Sequence, residues 1–337
     1  MGAQGLETSG NGEETAYSQP PAGDWSDPVR VLSIDGGGIR GVIPAMVLAE
    51  VEARTGTAAS GLFDLVAGTS IGGIIALCLA APDAAEGPAW SAQQVIGMFE
   101  RASHEIFVSA GHTALHGVLH HRYASEHIEG TLVRYLGGHM ISDSLCDVLL
   151  TAYDLGAREP YFINSMAAKL DHEHDMPMWM AARATSAAPT YFEPARLATH
   201  RERVMVDGAV CANNPAMCAF AEVVKYRRSF NMRLLSLGTG ASTRAIAHHE
   251  VRDWGLAQWA RPILHVLMDG ASDVVHRQLR EMLPPDAYWR LQIDLTRASE
   301  SIDDATPRNL ADLMAEGERL IKSSDRELDA ICEALAR

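Results

Sequence analysis

Leu62-Phe63-Asp64-Leu65-Val66-Ala67-Gly68-Thr69-Ser70-Ile71-Gly72-Gly73 is the stretch on which the fold turns. Its aliphatic start reads as a buried strand over residues 62–67, and its glycines as a tight turn. The apolar run that follows reads as a helix to about Leu79, stopped before Pro82. The same grammar occurs upstream. Val29-Arg30-Val31-Leu32-Ser33-Ile34 is a short β-branched and aliphatic run, Asp35-Gly36-Gly37-Gly38 follows it, and a helix starts near Ile43. Pro44 suits a first helical turn, where its missing N–H would be unpaired anyway. Strand, glycine turn and helix, twice in succession, predict an α/β chain with a mainly parallel sheet.

Working outward, further strands are expected over residues 147–153, 160–164, 203–206, 233–237 and 288–295. Helices are expected over 178–187 and 215–227, and residues 88–140 read as helical and His-rich, a cap over the sheet. Leu310, Leu313, Met314 and Ile321 recur at helical spacing, as do Leu328, Ile331, Cys332 and Leu335. Three segments are therefore expected: a disordered tail over 1–27, too poor in aliphatics to offset its ordering entropy, a catalytic domain over 28–245, and a mainly helical C-terminal subdomain over 246–337 packed on it.

The 337 residues carry a formal charge of −15. An acidic chain is repelled by polyphosphate, so a DNA or RNA polymer is not an expected partner. Five cysteines without a CxxC argue against a disulfide framework and a zinc knuckle. The apolar stretch near Gly73 to Ala81 is too short to span a bilayer, and the N-terminus lacks a basic segment followed by an apolar one. A cytoplasmic protein is expected.

Three turns carry chemistry. Gly68-Thr69-Ser70-Ile71-Gly72 fits G-x-S-x-G, in which a sharp strand-to-helix turn lifts the serine hydroxyl above the sheet edge at a helix N-terminus. An ordinary glycine turn opening a helix would look the same taken alone. Asp35-Gly36-Gly37-Gly38-Ile39-Arg40-Gly41 exposes consecutive backbone N–H groups able to hold an oxyanion or a phosphate, and lacks both common nucleotide-loop patterns. Arg40 suits either an anionic head group or pinning of its own loop. Asp207-Gly208-Ala209 follows the strand Val204-Met205-Val206 and puts a carboxylate where an α/β protein carries a base, although Asp-Gly is also a common turn.

Together and in this order, the three turns resemble the patatin-like phospholipase family. So do Ala182-Arg183-Ala184-Thr185-Ser186-Ala187-Ala188-Pro189-Thr190-Tyr191-Phe192 before the aspartate and Asn213-Asn214-Pro215 after it. The resemblance covers about residues 28–240. It implies a three-layer α/β/α sandwich, and a Ser-Asp dyad in which Ser70 is the nucleophile and Asp207 the proton acceptor. Gly36, Gly37 and Gly38 would form the oxyanion hole, with Arg40, Gly68 and Gly72 in support. It implies no metal and no cofactor.

The implied partner is a membrane phospholipid, whose fatty-acyl ester would be cleaved peripherally at the inner membrane. The layout is also similar to bacterial anti-phage phospholipases switched on by a cyclic dinucleotide, with Arg122, Arg134, Arg227 and Arg228 as candidate anion ligands and an oligomer compatible with it. Two enzymatic alternatives stand beside this reading. One is a constitutive, non-specific lipid esterase. The other is a Ser-His-Asp α/β-hydrolase using His248, His249, His265 or His276. A binding or storage protein that keeps the fold without activity is the non-enzymatic one. Asp171-His172-Glu173-His174-Asp175 lacks the spacing of a helical zinc motif and reads as an exposed polar loop.

Overall fold

The computed structural model describes residues 27–106, 122–198, 201–242, 246–259 and 262–336. Eight strands form one mixed sheet: β1 (Val29–Ile34), β2 (Leu65–Thr69), β3 (Asp147–Asp154), β4 (Glu159–Asn164), β5 (Ala195–Ala198), β6 (Glu202–Asp207), β7 (Met232–Leu237) and β8 (Tyr288–Leu291). The order is β5-β6-β3-β2-β1-β7-β8, with β4 also on β3. The pairs β3–β2, β2–β1, β1–β7 and β7–β8 are parallel, whereas β4 and β6 run antiparallel to β3, and β5 to β6.

The near-continuous apolar strands follow from burial on both faces. Successive side chains alternate between two cores. Val29, Val31, Leu65, Ala67, Leu149, Met232 and Leu234 point to one, beneath the helix Ala216–Arg227 and part of the helix Pro262–Met282. Leu32, Ile34, Val66, Val148, Leu150, Leu235 and Leu237 point to the larger one, on the other face. That side is covered by the helices Val42–Thr55, Ile71–Ala80, Ala92–Ile106, Ser125–Leu136, Met178–Thr185, Pro307–Ser323 and Asp325–Ala336. The result is the α/β/α sandwich implied by the resemblance.

Several expectations shift. β2 begins at Leu65 because Ala59–Leu62 is a short helix, and it runs on through Gly68 to Thr69. β5 was not foreseen. Within the stretch expected to cap the sheet, the two described helices contribute Val95, Ile96, Phe99, Ile128 and Leu132 to the larger core, and residues 107–121, which include His120 and His121, lie outside the described residues. The expected tail also lies outside them apart from its last residue. The boundary read at residue 245 falls between β7 and β8, which are hydrogen-bonded neighbours in the one sheet. The helix Pro307–Ser323 lies so close on Val42–Thr55 that a side chain at Gly317 would meet the Met46 sulfur at 2.7 Å.

Candidate active site

Two strand ends converge beside β3. β2 pairs with β3 from Leu65–Asp147 to Thr69–Thr151. β6 comes from the opposite direction and pairs with β3 from Met205–Asp154 to Asp207–Ala152. β4 occupies the other edge of β3 over the whole of Leu149 to Asp154, so β2 and β6 share one edge and meet there end to end. The residue after Thr69 is Ser70, and the last residue of β6 is Asp207. The sheet register itself thus brings serine and aspartate together.

Ser70 has φ 55° and ψ −123°, a conformation that L-residues rarely adopt, at the start of the helix Ile71–Ala80. The turn is closed tightly by glycines: a Cβ on Gly68 would sit 2.3 Å from the Gly72 carbonyl oxygen, and one on Gly72 2.2 Å from that of Ile34. A hydroxyl network holds it. The Ser70 N–H donates to Thr185 Oγ1 at 2.9 Å, and that hydroxyl donates to the Thr151 carbonyl at 2.6 Å. Thr69 Oγ1 donates to the Ala212 carbonyl, so the Thr151 hydroxyl is the donor in its 2.7 Å bond to Thr69.

Asp207 is buried, at 2% exposure. Its N–H donates to the Ala187 carbonyl, and its Oδ1 accepts the Ala209 N–H at 2.8 Å. Burial pushes its pKa up to about 6, opposed by hydrogen bonding from Ser70 and from the Ala209 N–H. A carboxylate raised this far takes a proton from a nearby hydroxyl far more readily than an exposed one would.

The Asp35–Gly38 loop lies over the serine, since a Cβ on Gly36 would be 3.3 Å from Ser70 Cβ. The Gly36 N–H is committed, donating to the Asn213 carbonyl at 3.1 Å. The N–H groups of Gly37 and Gly38 have no acceptor among the described residues. Gly38 needs its glycine, with φ +57° and the Ile302 carbonyl oxygen 2.1 Å from where a Cβ would lie. Arg40 is buried, and its Nε reaches back to the Gly37 carbonyl at 3.4 Å.

Asp35 points away from this site. It accepts two hydrogen bonds from Arg290 of β8, whose Nη1 also donates to Ser236. Sequence reasoning missed Arg290, Thr185, Asn213 and Ile302, because each acts through a contact between segments far apart in the chain. Thr185 and Asn213 left a trace, in the Ala182–Phe192 stretch before the aspartate and the Asn-Asn-Pro run after it.

The four candidate anion ligands do not gather. Arg122 pairs with Asp303, Arg134 with Glu105, and Arg227 with Asp147. Arg228 ends the helix Ala216–Arg227 in a left-handed conformation. Arg227 lines a cavity with Arg30, Asp64, Asp147 and Lys169 at the opposite end of the central strands from Ser70. Of the late histidines, His276 is hydrogen-bonded through Nδ1 to the Tyr288 hydroxyl, and His248 and His249 are exposed. In the His172–His174 turn, Asp171 caps by accepting the Glu173 N–H. No group of His, Cys, Asp or Glu among the described residues is arranged to hold a metal ion.

A serine held in strained backbone between the end of a central parallel strand and the start of a helix is the nucleophile elbow of serine hydrolases. The chain belongs to the patatin-like phospholipase family, whose model, described as "Patatin-like phospholipase", matches residues 32–220. It is 31% identical over 348 residues to Patatin-like protein 2 of Arabidopsis thaliana, covering 90% of this chain and 85% of that one. It is 28% identical over 330 residues to Patatin-T5 of Solanum tuberosum, covering 88% and 84%. A third relative, from the same plant, is named "Probable inactive patatin-3-Kuras 1" and is 28% identical over 332 residues, covering 89% and 88%. No helix among the described residues is long and apolar enough to cross a membrane.

Proposed function

We propose that the protein hydrolyses fatty-acyl esters of membrane phospholipids through a Ser70–Asp207 dyad. The observation that carries this reading is the end-to-end meeting of β2 and β6 on β3, which sets a strained serine beside a buried aspartate of raised pKa. Asp207 accepts the hydroxyl proton as Ser70 Oγ attacks the ester carbonyl carbon. The developing oxyanion is held by the N–H groups of Gly37 and Gly38. Collapse of the tetrahedral intermediate breaks the ester bond, and the departing lysophospholipid alkoxide takes the proton back from Asp207. Water then attacks the acyl-Ser70 ester, again giving its proton to Asp207, and the fatty acid leaves with Ser70 restored. Among the described residues Asp207 is hydrogen-bonded rather than ion-paired, which leaves its carboxylate available as a base.

The test is fatty-acid release from phospholipid vesicles by the wild type, Ser70→Ala and Asp207→Asn, each with and without a panel of cyclic dinucleotides. Loss in both variants supports the dyad, and dependence on one nucleotide supports a gated enzyme. Activity surviving in Ser70→Ala defeats the mechanism. A Ser-His-Asp arrangement would instead need activity to fall on replacing His248, His249, His265 or His276.

A further inference from the structure

Three consecutive glycines have more backbone freedom than any other tripeptide, so an oxyanion site built on them must be held from outside. Two clamps bracket Gly37 and Gly38. On one side the Asn213 carbonyl accepts the Gly36 N–H at 3.1 Å. On the other the Ile302 carbonyl accepts the Ile39 N–H at 2.9 Å, and its oxygen fills the space where Gly38 has no Cβ. Asn213 lies within the segment matched by the family model, which ends at residue 220. Ile302 does not.

Ile302 sits on an irregular loop that Asn309 holds at Ser299 and Asp304, and the neighbouring Asp303 ties it to the segment across the site. The Asp303 side chain is 6% exposed and pairs with Arg122. Its Oδ2 accepts the Tyr123 hydroxyl at 2.7 Å, and its Oδ1 accepts the Ser301 hydroxyl at 2.5 Å. Arg122 and Tyr123 are anchored in turn, their N–H groups donating to the carbonyls of Thr190 and Tyr191. Tyr123 also packs its ring against Phe192. A continuous chain of bonds therefore runs from the segment preceding β5, through Asp303, to the peptide resting on Gly38.

We infer that Asp303 is a positioning residue for the oxyanion site, holding the Ile302 carbonyl against Gly38 and Ile39 so that the Gly37 and Gly38 N–H groups face the substrate. This rests on the reading of those two N–H groups as the oxyanion donors. Asp303 touches no reacting atom. Its effect is to remove freedom from the glycine loop before substrate arrives, which is when preorganisation counts.

The experiment compares a soluble p-nitrophenyl ester with its thiono analogue, in which sulfur replaces the carbonyl oxygen and fits an oxyanion site poorly. The readout is the ratio of kcat/KM for the two, which is unaffected by the fraction of enzyme folded. Losing one oxyanion donor costs about 100-fold or more, so a loosened loop is expected to lower this ratio about tenfold in Asp303→Ala. Tyr123→Phe removes one bond to Asp303 and keeps the ring. It is expected to lower the ratio about threefold, and it serves if Asp303→Ala does not fold. A ratio equal to that of the wild type in a folded variant overturns the inference. Ester hydrolysis persisting in Ser70→Ala would instead overturn the underlying dyad reading, which the same plate of assays reports separately.

Discussion

Asp35 and Arg290 lie 255 positions apart and form a two-pronged ion pair, Nη1 to Oδ1 at 2.9 Å and Nη2 to Oδ2 at 2.5 Å, with both side chains nearly removed from solvent. The aspartate that opens the glycine loop is therefore a structural anchor. It fastens the loop to β8, across the end of β7.

Removing one partner of such a pair leaves the other charge buried and alone. Arg290→Ala is expected to destabilise the protein by about 3–5 kcal/mol, and the double variant Asp35→Asn with Arg290→Ala by less than the single one. Urea denaturation followed by circular dichroism measures both. A single variant as stable as the wild type would mean that the pair contributes nothing to the fold.

Asp207 must be ionised to accept a proton. With its pKa raised to about 6, kcat/KM on a soluble ester is expected to climb about tenfold per pH unit below that value and to level off above it. A rate that stays flat from pH 4.5 to 7.5 is incompatible with this carboxylate as the base.

The same shift has a consequence for stability. The folded protein holds the Asp207 proton more tightly than the unfolded chain, whose carboxyl titrates near 3.8. Between those two values the folded state binds more protons, so stability falls as pH rises from about 4 to about 6. Asp207→Asn carries no such charge. It is expected to exceed the wild type in stability at pH 7 by up to about 3 kcal/mol, with the gap closing below pH 4. Paired thermal melts at pH 4 and pH 7 would show it, and an equal gap at both would refute the assignment.

Ser70 stores backbone strain. At φ 55° and ψ −123° a glycine is at ease where serine or alanine is not. Ser70→Gly is thus expected to be about 1 kcal/mol more stable than Ser70→Ala, both lacking activity. Calorimetry on the two inactive variants isolates the backbone contribution, and no difference would mean that the elbow is relaxed.

What the sequence made legible was local. The two strand–glycine–helix units, the serine elbow and the Asp-Gly-Ala turn each declare themselves within about a dozen residues, because glycine and aliphatic patterning report directly on backbone conformation. Arg290 could not be read this way. Nothing near it marks a partner in the turn after β1, and the strand that carries it has only four residues. The antiparallel arrival of β6 beside the end of β2 was equally hidden, since strand direction is set by sheet topology and leaves no imprint on Val204-Met205-Val206. Of the four arginines singled out, three show a common limit: Arg122, Arg134 and Arg227 each have an acidic partner here, and charge in a sequence does not reveal whether it is already neutralised.

The meeting of β2 and β6 on β3 also bears on biosynthesis. Ser70 leaves the ribosome long before Asp207, and the Arg290 and Ile302 contacts that brace the glycine loop emerge later still. A nascent chain holding only the first two glycine turns has a serine and no base beside it. The serine thus gains its carboxylate neighbour only after residue 207 has been made, and the glycine loop its outer brace only after residue 302.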